Sequence, residues 1–200
     1  MKKLLSMLAF SVLVSPVIAQ DENEEDPQKG KFRKDNIFIG GGVNLGFGSN
    51  TLQLGITPEI GYSITKWLDA GVLFNIIYQT ENQTNITGYK LRQLQYGTGG
   101  FVRIWPVRFL HLTVQPEHNW IRQTAISQFT GNKESATFNA GSVLAGIGYG
   151  SRNVGGSYQY LTVMIDLMDN VYSPYRDQYN KTRPVIKAGF GFYLRPSKKK

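Results

Sequence analysis

The chain has no cysteine. That excludes a disulfide scaffold, a thiolate nucleophile and a lipid-modified N-terminal cysteine, so stability must come from backbone ladders and packing. Long apolar runs are missing as well. The greasiest stretch, Leu4 to Leu13, falls short of the ~20 residues that a transmembrane helix needs and is closed by Ser15 and Pro16. Any span of a membrane must therefore be built from strands, because only helices and closed barrels satisfy every backbone group in hydrocarbon. Histidine is scarce: His111 and His118 fall on opposite faces of one strand, where they cannot share a metal. No serine neighbours either histidine in sequence, so no nucleophile with its base stands out. The glycine-rich runs G-G-G-V-N-L-G-F-G and G-I-G-Y-G lack the Gly-Lys-Ser/Thr ending and the following helical pattern of a phosphate-binding loop. No cofactor is implied.

What is present is alternation. T-L-Q-L-G-I-T-P-E-I-G-Y, Thr51 to Tyr62, separates at period two into Leu52, Leu54, Ile56, Pro58, Ile60 and Tyr62 against Thr51, Gln53, Gly55, Thr57, Glu59 and Gly61. The pattern returns around the chain and follows a start with Lys2 and Lys3, an apolar run, and small residues at Val17 and Ala19 before Gln20. That start reads as a secretory signal peptide over residues 1–19. Residues 20–35, with D-E-N-E-E-D-P, read as a flexible polar lead, 36–194 as the folded domain and 195–200 as a basic tail. The net charge of +8 falls to +6 without Lys2 and Lys3. Its cations cluster at turns and ends with no basic stripe, which argues against a nucleic-acid partner.

Turn-rich breaks divide residues 36–194 into eight segments near the ~9 to 11 residues that a tilted strand needs to cross a bilayer. The breaks alternate in length. Ile64–Lys66, Pro106–Arg108 and Gly150–Gly155 are short, whereas Glu81–Gly88, Gln123–Ala136 and Met168–Arg183 are longer and polar. Short periplasmic turns and long external loops are the habit of outer-membrane barrels, with only the turn at Gly48–Asn50 unusually brief for its side. The expected fold is all-β: an eight-stranded antiparallel transmembrane up-and-down β-barrel in outer-membrane lipid.

Parity then assigns side chains. An aromatic girdle is expected from Tyr62, Trp67, Tyr78, Trp105, Trp120 and Tyr149. Inside so narrow a barrel side chains fill the lumen, and charges there must be paired. Glu59, Asp69 and Arg103 should form a lower ionic layer and Glu117, Asp166 and Lys187 an upper one, each with carboxylates in excess. Pro58 and Pro116, lacking an N–H, should each require a bulge.

I-T-P-E-I-G-Y-S-I-T-K-W-L-D-A-G, Ile56 to Gly71, resembles the outer-membrane β-barrel families of Bacteroidetes-type bacteria, with a small OmpA/OmpX-like architecture. K-A-G-F-G-F-Y-L resembles the assembly signal of outer-membrane proteins, with Lys187 at its polar position, Gly189 at its glycine, and Phe192 and Leu194 as its terminal hydrophobic pair. The resemblance implies the barrel-assembly machinery as a partner. The residues favour a non-enzymatic barrel with a plugged polar lumen, whose external loops, especially Gln123–Ala136 and Val171–Tyr179, serve surface contacts with a partner unknown, or envelope stabilisation. Two alternatives remain: a lipid-modifying barrel enzyme, and a secreted lipocalin-like barrel with the greasy set pointing inward.

Overall fold

The structure, a computed structural model, describes residues 32–48, 51–83, 88–168, 170–176 and 180–194. The expected signal peptide, the polar lead up to residue 31, residues 49–50 of the first turn, residues 177–179 of the last loop and the basic tail 195–200 lie outside the described residues. A single 3-10 turn, Lys34–Asn36, precedes strands β1 (Ile37–Gly48), β2 (Thr51–Ser63), β3 (Leu68–Gln83), β4 (Tyr89–Val107), β5 (Leu110–Ser127), β6 (Lys133–Arg152), β7 (Ser157–Asp166) and β8 (Val185–Tyr193). Each strand pairs antiparallel with its neighbour in sequence. β8 returns to pair with β1, from Phe38↔Tyr193 to Leu45↔Ile186, so the barrel closes and no edge is left open.

The alternation points the way that lipid demands. On β2, Leu54, Ile56 and Ile60 are 46%, 56% and 53% exposed, whereas Glu59 between them is 1% exposed. Val72 and Phe190 are exposed on the outside, and Lys187 is buried within. A soluble protein does not display a continuous apolar belt of this extent, so hydrocarbon is its solvent. The lipocalin-like alternative is thereby corrected, because the greasy set faces outward.

Three expectations about the ladder change. Gln123–Ala136 is no polar loop: β5 and β6 stay paired through Gln123↔Ala136 to Ile126↔Lys133, and only a tight turn remains, where Gly131 takes φ +73°. β4, β5 and β6 run 19, 18 and 20 residues, about twice what the bilayer requires, so this part of the wall stands above it. Residues 131–137 there are exposed on both faces, which erased the alternation that marks a strand within lipid. Pro58 and Pro116 sit in gaps of the ladder with no extra residue. β2–β3 pairing skips from Ile56↔Ile76 to Glu59↔Leu73, and β4–β5 pairing from Gly99↔Glu117 to Val102↔Val114, each in unchanged register. The register shifts between Ile104 and Val107 instead, around Pro106. Finally, the expected flexible lead ends before residue 35. The Arg33 amide donates to the Tyr62 hydroxyl at 3.1 Å, and Asn36 Nδ2 donates to the Ser63 carbonyl at 2.9 Å.

Candidate functional site

Glycine makes the interior possible. A side chain at Gly61 would strike the Phe38 ring, one at Gly97 the Asn75 and Asn119 amides, and those at Gly189 and Gly191 the Tyr160 and Tyr158 rings. The inner face therefore alternates bare backbone on one strand with a large side chain from the next. Phe38, Leu73, Phe101, Tyr158, Tyr160 and Tyr193 form one buried cluster.

Glu59 lies beside this cluster with four donors. Tyr158 and Tyr160 hydroxyls donate to its two oxygens at 2.9 Å each, Arg103 Nη2 lies 3.3 Å from Oε1, and Lys187 Nζ lies 3.3 Å from Oε2. The Arg103 guanidinium also faces the Tyr160 ring, 4.2 Å from its centre. Lys187 thus joins the lower group, which corrects its placement with Glu117 and Asp166. The lysine stem runs across Gly42, where any side chain would block it, and so reaches a carboxylate outside its own pairing row. Cations here outnumber carboxylates, the reverse of the expected excess.

Asp69 belongs to a different group, at the end of the barrel that carries the short β2–β3, β4–β5 and β6–β7 turns. It accepts from Ser63 Oγ at 2.6 Å, Trp105 Nε1 at 2.9 Å and Arg152 Nη2 at 2.6 Å. Arg152 also donates to the Lys66 and Thr65 carbonyls of the β2–β3 turn and to the Tyr193 hydroxyl, so one guanidinium ties three parts of the rim together. Arg152, within the break expected at Gly150–Gly155, is the last residue of β6. Trp105 is corrected from girdle to interior, at 5% exposed. Ile104 faces out, so its neighbour must face in, and parity was sufficient to see this.

Glu117 and Asp166 make no ion pair among the described residues. Glu117 accepts from Asn75 Nδ2 at 2.8 Å and from Gln115 Nε2 and Asn119 Nδ2 at 3.0 Å each. Asp166 accepts from the Val143 and Met168 amides and from Ser173 Oγ, which also meets Ser142. The upper ionic layer is therefore an amide-lined carboxyl and, separately, a loop anchor. The anchored loop sends Tyr175 into the barrel, 2% exposed, where it packs with Ile77, Leu144, Met164 and Val185 and accepts from Gln95 Nε2 at 3.3 Å. Burial pushes the Tyr175 hydroxyl well above its usual range, so it stays protonated. Part of the segment expected to meet partners at the surface, Ser173–Tyr175, is buried instead.

His111 has no serine near it in sequence, yet its Nε2 lies 2.8 Å from Thr162 Oγ1. Both are buried, at 0% and 1%, behind Trp105 and Tyr160. His118 faces outward beside Trp120. Among the remaining girdle residues, Trp67, Tyr78, Trp120 and Tyr149 are exposed outside and Tyr62 is half-buried. Of the C-terminal motif, Lys187 and Gly189 point inward while Phe192 and Leu194 are exposed at 62% and 43%.

A closed eight-stranded ladder with a lipid-facing exterior and a polar interior is the build of an outer-membrane β-barrel, and that is where this protein resides. No protein-family model matches the chain, and no curated protein matches it. Among solved structures it is similar to Ail, the attachment invasion locus protein of Yersinia pestis, at TM-score 0.47 and 12% identity over 78% of this chain and 95% of that one. Neisserial surface protein A matches at TM-score 0.43 and 12% identity over 79% and 96%. A major outer membrane protein of Thermus thermophilus matches at TM-score 0.46 and 10% identity over 78% and 98%. Each is a likeness of architecture.

Proposed function

We propose that the protein is a non-enzymatic outer-membrane barrel with an occluded lumen, which serves the envelope as a strut and presents its external rim and loops for surface contacts. The carrying observation is the Glu59 cluster, in which two cations and two tyrosines converge on one carboxylate inside the lumen. The Asp69–Arg152 group lies toward the periplasm from it and the Tyr175 insertion toward the outside, so three barriers stand in series. Planar-bilayer recordings of the purified protein test this: no conductance is expected, and reproducible steps would overturn the occluded lumen.

Catalysis on lipid is disfavoured by the burial of the His111–Thr162 pair, which no headgroup reaches. Cells lacking the gene should show unchanged lipids, and a missing lipid modification would favour the enzyme. Phe192 on β8 and Leu194 just beyond it, both exposed, support recognition by the barrel-assembly machinery. Phe192→Asn with Leu194→Asn should lower the yield of heat-modifiable barrel in the membrane without lowering its stability once refolded in vitro.

A further inference from the structure

The register sets four glutamines side by side on the inner face near the outer rim. Gln53 of β2 pairs with Gln79 of β3, Gln79 with Gln93 of β4, and Gln93 with Gln123 of β5. Gln53 and Gln79 are 5% and 7% exposed, and Gln53 Nε2 is buried without a hydrogen-bond partner. No side-chain hydrogen bond engages Gln79, Gln93 or Gln123 among the described residues. Gln79, Gln93 and Gln123 face open space, where their amides can both donate and accept. A cavity of about 260 Å³ opens in front of these three and is walled on its other side by Phe138 of β6 and Tyr172 of the β7–β8 loop. Those two rings lie 5.7 Å apart, and Tyr172 is 58% exposed.

Charges of both signs line this cavity, Glu81 together with Arg176 and Arg183. Arg176 donates to the Met168 and Asn180 carbonyls, and Arg183 donates to the Arg176 carbonyl. Beside these charges the cavity offers amides that each donate and accept, and an aromatic face. Vicinal hydroxyls of a sugar also donate and accept, and the C–H face of a pyranose packs on an aromatic ring. The volume lies just under the ~300 Å³ lower end of pockets for drug-sized molecules, which suits one ring with its linkages leaving through the mouth. We infer that this cleft binds a saccharide residue, carried either by a soluble oligosaccharide or by a glycolipid headgroup. The inference deepens the surface-contact reading and rests on it for the outward orientation of the rim.

The test uses the full chain refolded in micelles of a detergent that contains no sugar. Neutral mono- and disaccharides are titrated by saturation-transfer NMR, and a neutral glycolipid is then doped into the micelles. Saturable binding of free sugar supports the proposal with a soluble source, and binding of the glycolipid alone supports it with a lipid source. Either should weaken at least tenfold in Gln79→Leu with Gln93→Leu, a variant whose heat-dependent gel shift first shows a closed barrel. Should that shift be lost, Tyr172→Ala, on the exposed loop, is read by the same titration. No saturable binding to either probe overturns the site, as does binding that these substitutions leave unchanged. Orientation is read separately: with no native cysteine, Asn132→Cys should be labelled by an impermeant maleimide on intact cells. Binding without labelling would keep the site and overturn its outward position.

Discussion

Glu59→Gln removes one carboxylate and leaves two cations, Arg103 and Lys187, each 3% exposed, with no anion in contact. Glutamine is nearly isosteric, so packing against Tyr158 and Tyr160 survives and the perturbation is electrostatic. Its amide oxygen accepts from one tyrosine, and its NH2 turns a donor toward the other hydroxyl. Breaking a buried ion pair from one side costs about 3–5 kcal/mol. That is a large part of the ~5–15 kcal/mol that typically separates folded from unfolded chains, and at ~1.4 kcal/mol per decade it changes their ratio by over a hundredfold. The assay is urea unfolding in lipid vesicles, read by the heat-modifiable band. Lys187→Met alone leaves the Glu59–Arg103 pair neutral and should cost under about 1 kcal/mol, because apolar replacement of a buried ion is often neutral. Adding Lys187→Met to Glu59→Gln should therefore recover at least about 1 kcal/mol, a coupling that a double-mutant cycle isolates. If Glu59→Gln matches the parent within ~1 kcal/mol while Lys187→Met is the more damaging, the cluster is not organised around the carboxylate.

Trp105→Phe keeps an aromatic, though smaller, side chain and removes the donor to Asp69, and should cost at least about 1–2 kcal/mol in the same unfolding assay, whereas Trp67→Phe on the lipid side should stay within about 0.5 kcal/mol. Ile56→Arg, halfway along β2 on the outside, should cost about 2–4 kcal/mol in vesicles, as arginine does near the bilayer midplane. Gly189→Leu should abolish the folded band because its side chain meets the Tyr160 ring, while Gly141→Ala, with open space in front of it, should leave the band unchanged. Tyr175→Ala should loosen the β7–β8 loop, seen as faster proteolysis within residues 168–183, yet produce no conductance, because the Glu59 cluster still blocks the lumen.

The architecture was legible wherever one face of a strand meets lipid and the other meets the lumen. Period two on β2 or β8 cannot be satisfied by a helix, and a one-residue slip would bury every apolar side chain. Legibility failed where that asymmetry ends. Above the bilayer both faces of the β5–β6 hairpin meet water, so Gln123–Ala136 carries no apolar face and reads as a loop although its ladder is continuous.

The interior was legible in direction and not in reach. Parity says that Glu59, Asp69, Arg103, Glu117, Asp166 and Lys187 all point inward, and all are buried. Which of them meet depends on what the intervening strands leave empty. Lys187 pairs in the ladder with Asn44, yet its charge sits on Glu59 because Gly42 opens the way. Arg152 crosses the rim to Asp69 and the β2–β3 turn by the length of its own stem. In a narrow barrel a glycine in the wall thus acts on its neighbours by what it omits. Gly42→Ala, a one-carbon change that touches no charged group directly in sequence, should displace the Lys187 stem and weaken its contact with Glu59. Its cost in unfolding should shrink when Lys187→Met is already present, since methionine is shorter and carries no charge to deliver. Equal cost in both backgrounds would mean that Gly42 merely eases strand packing, and the lysine would then owe its position to something else.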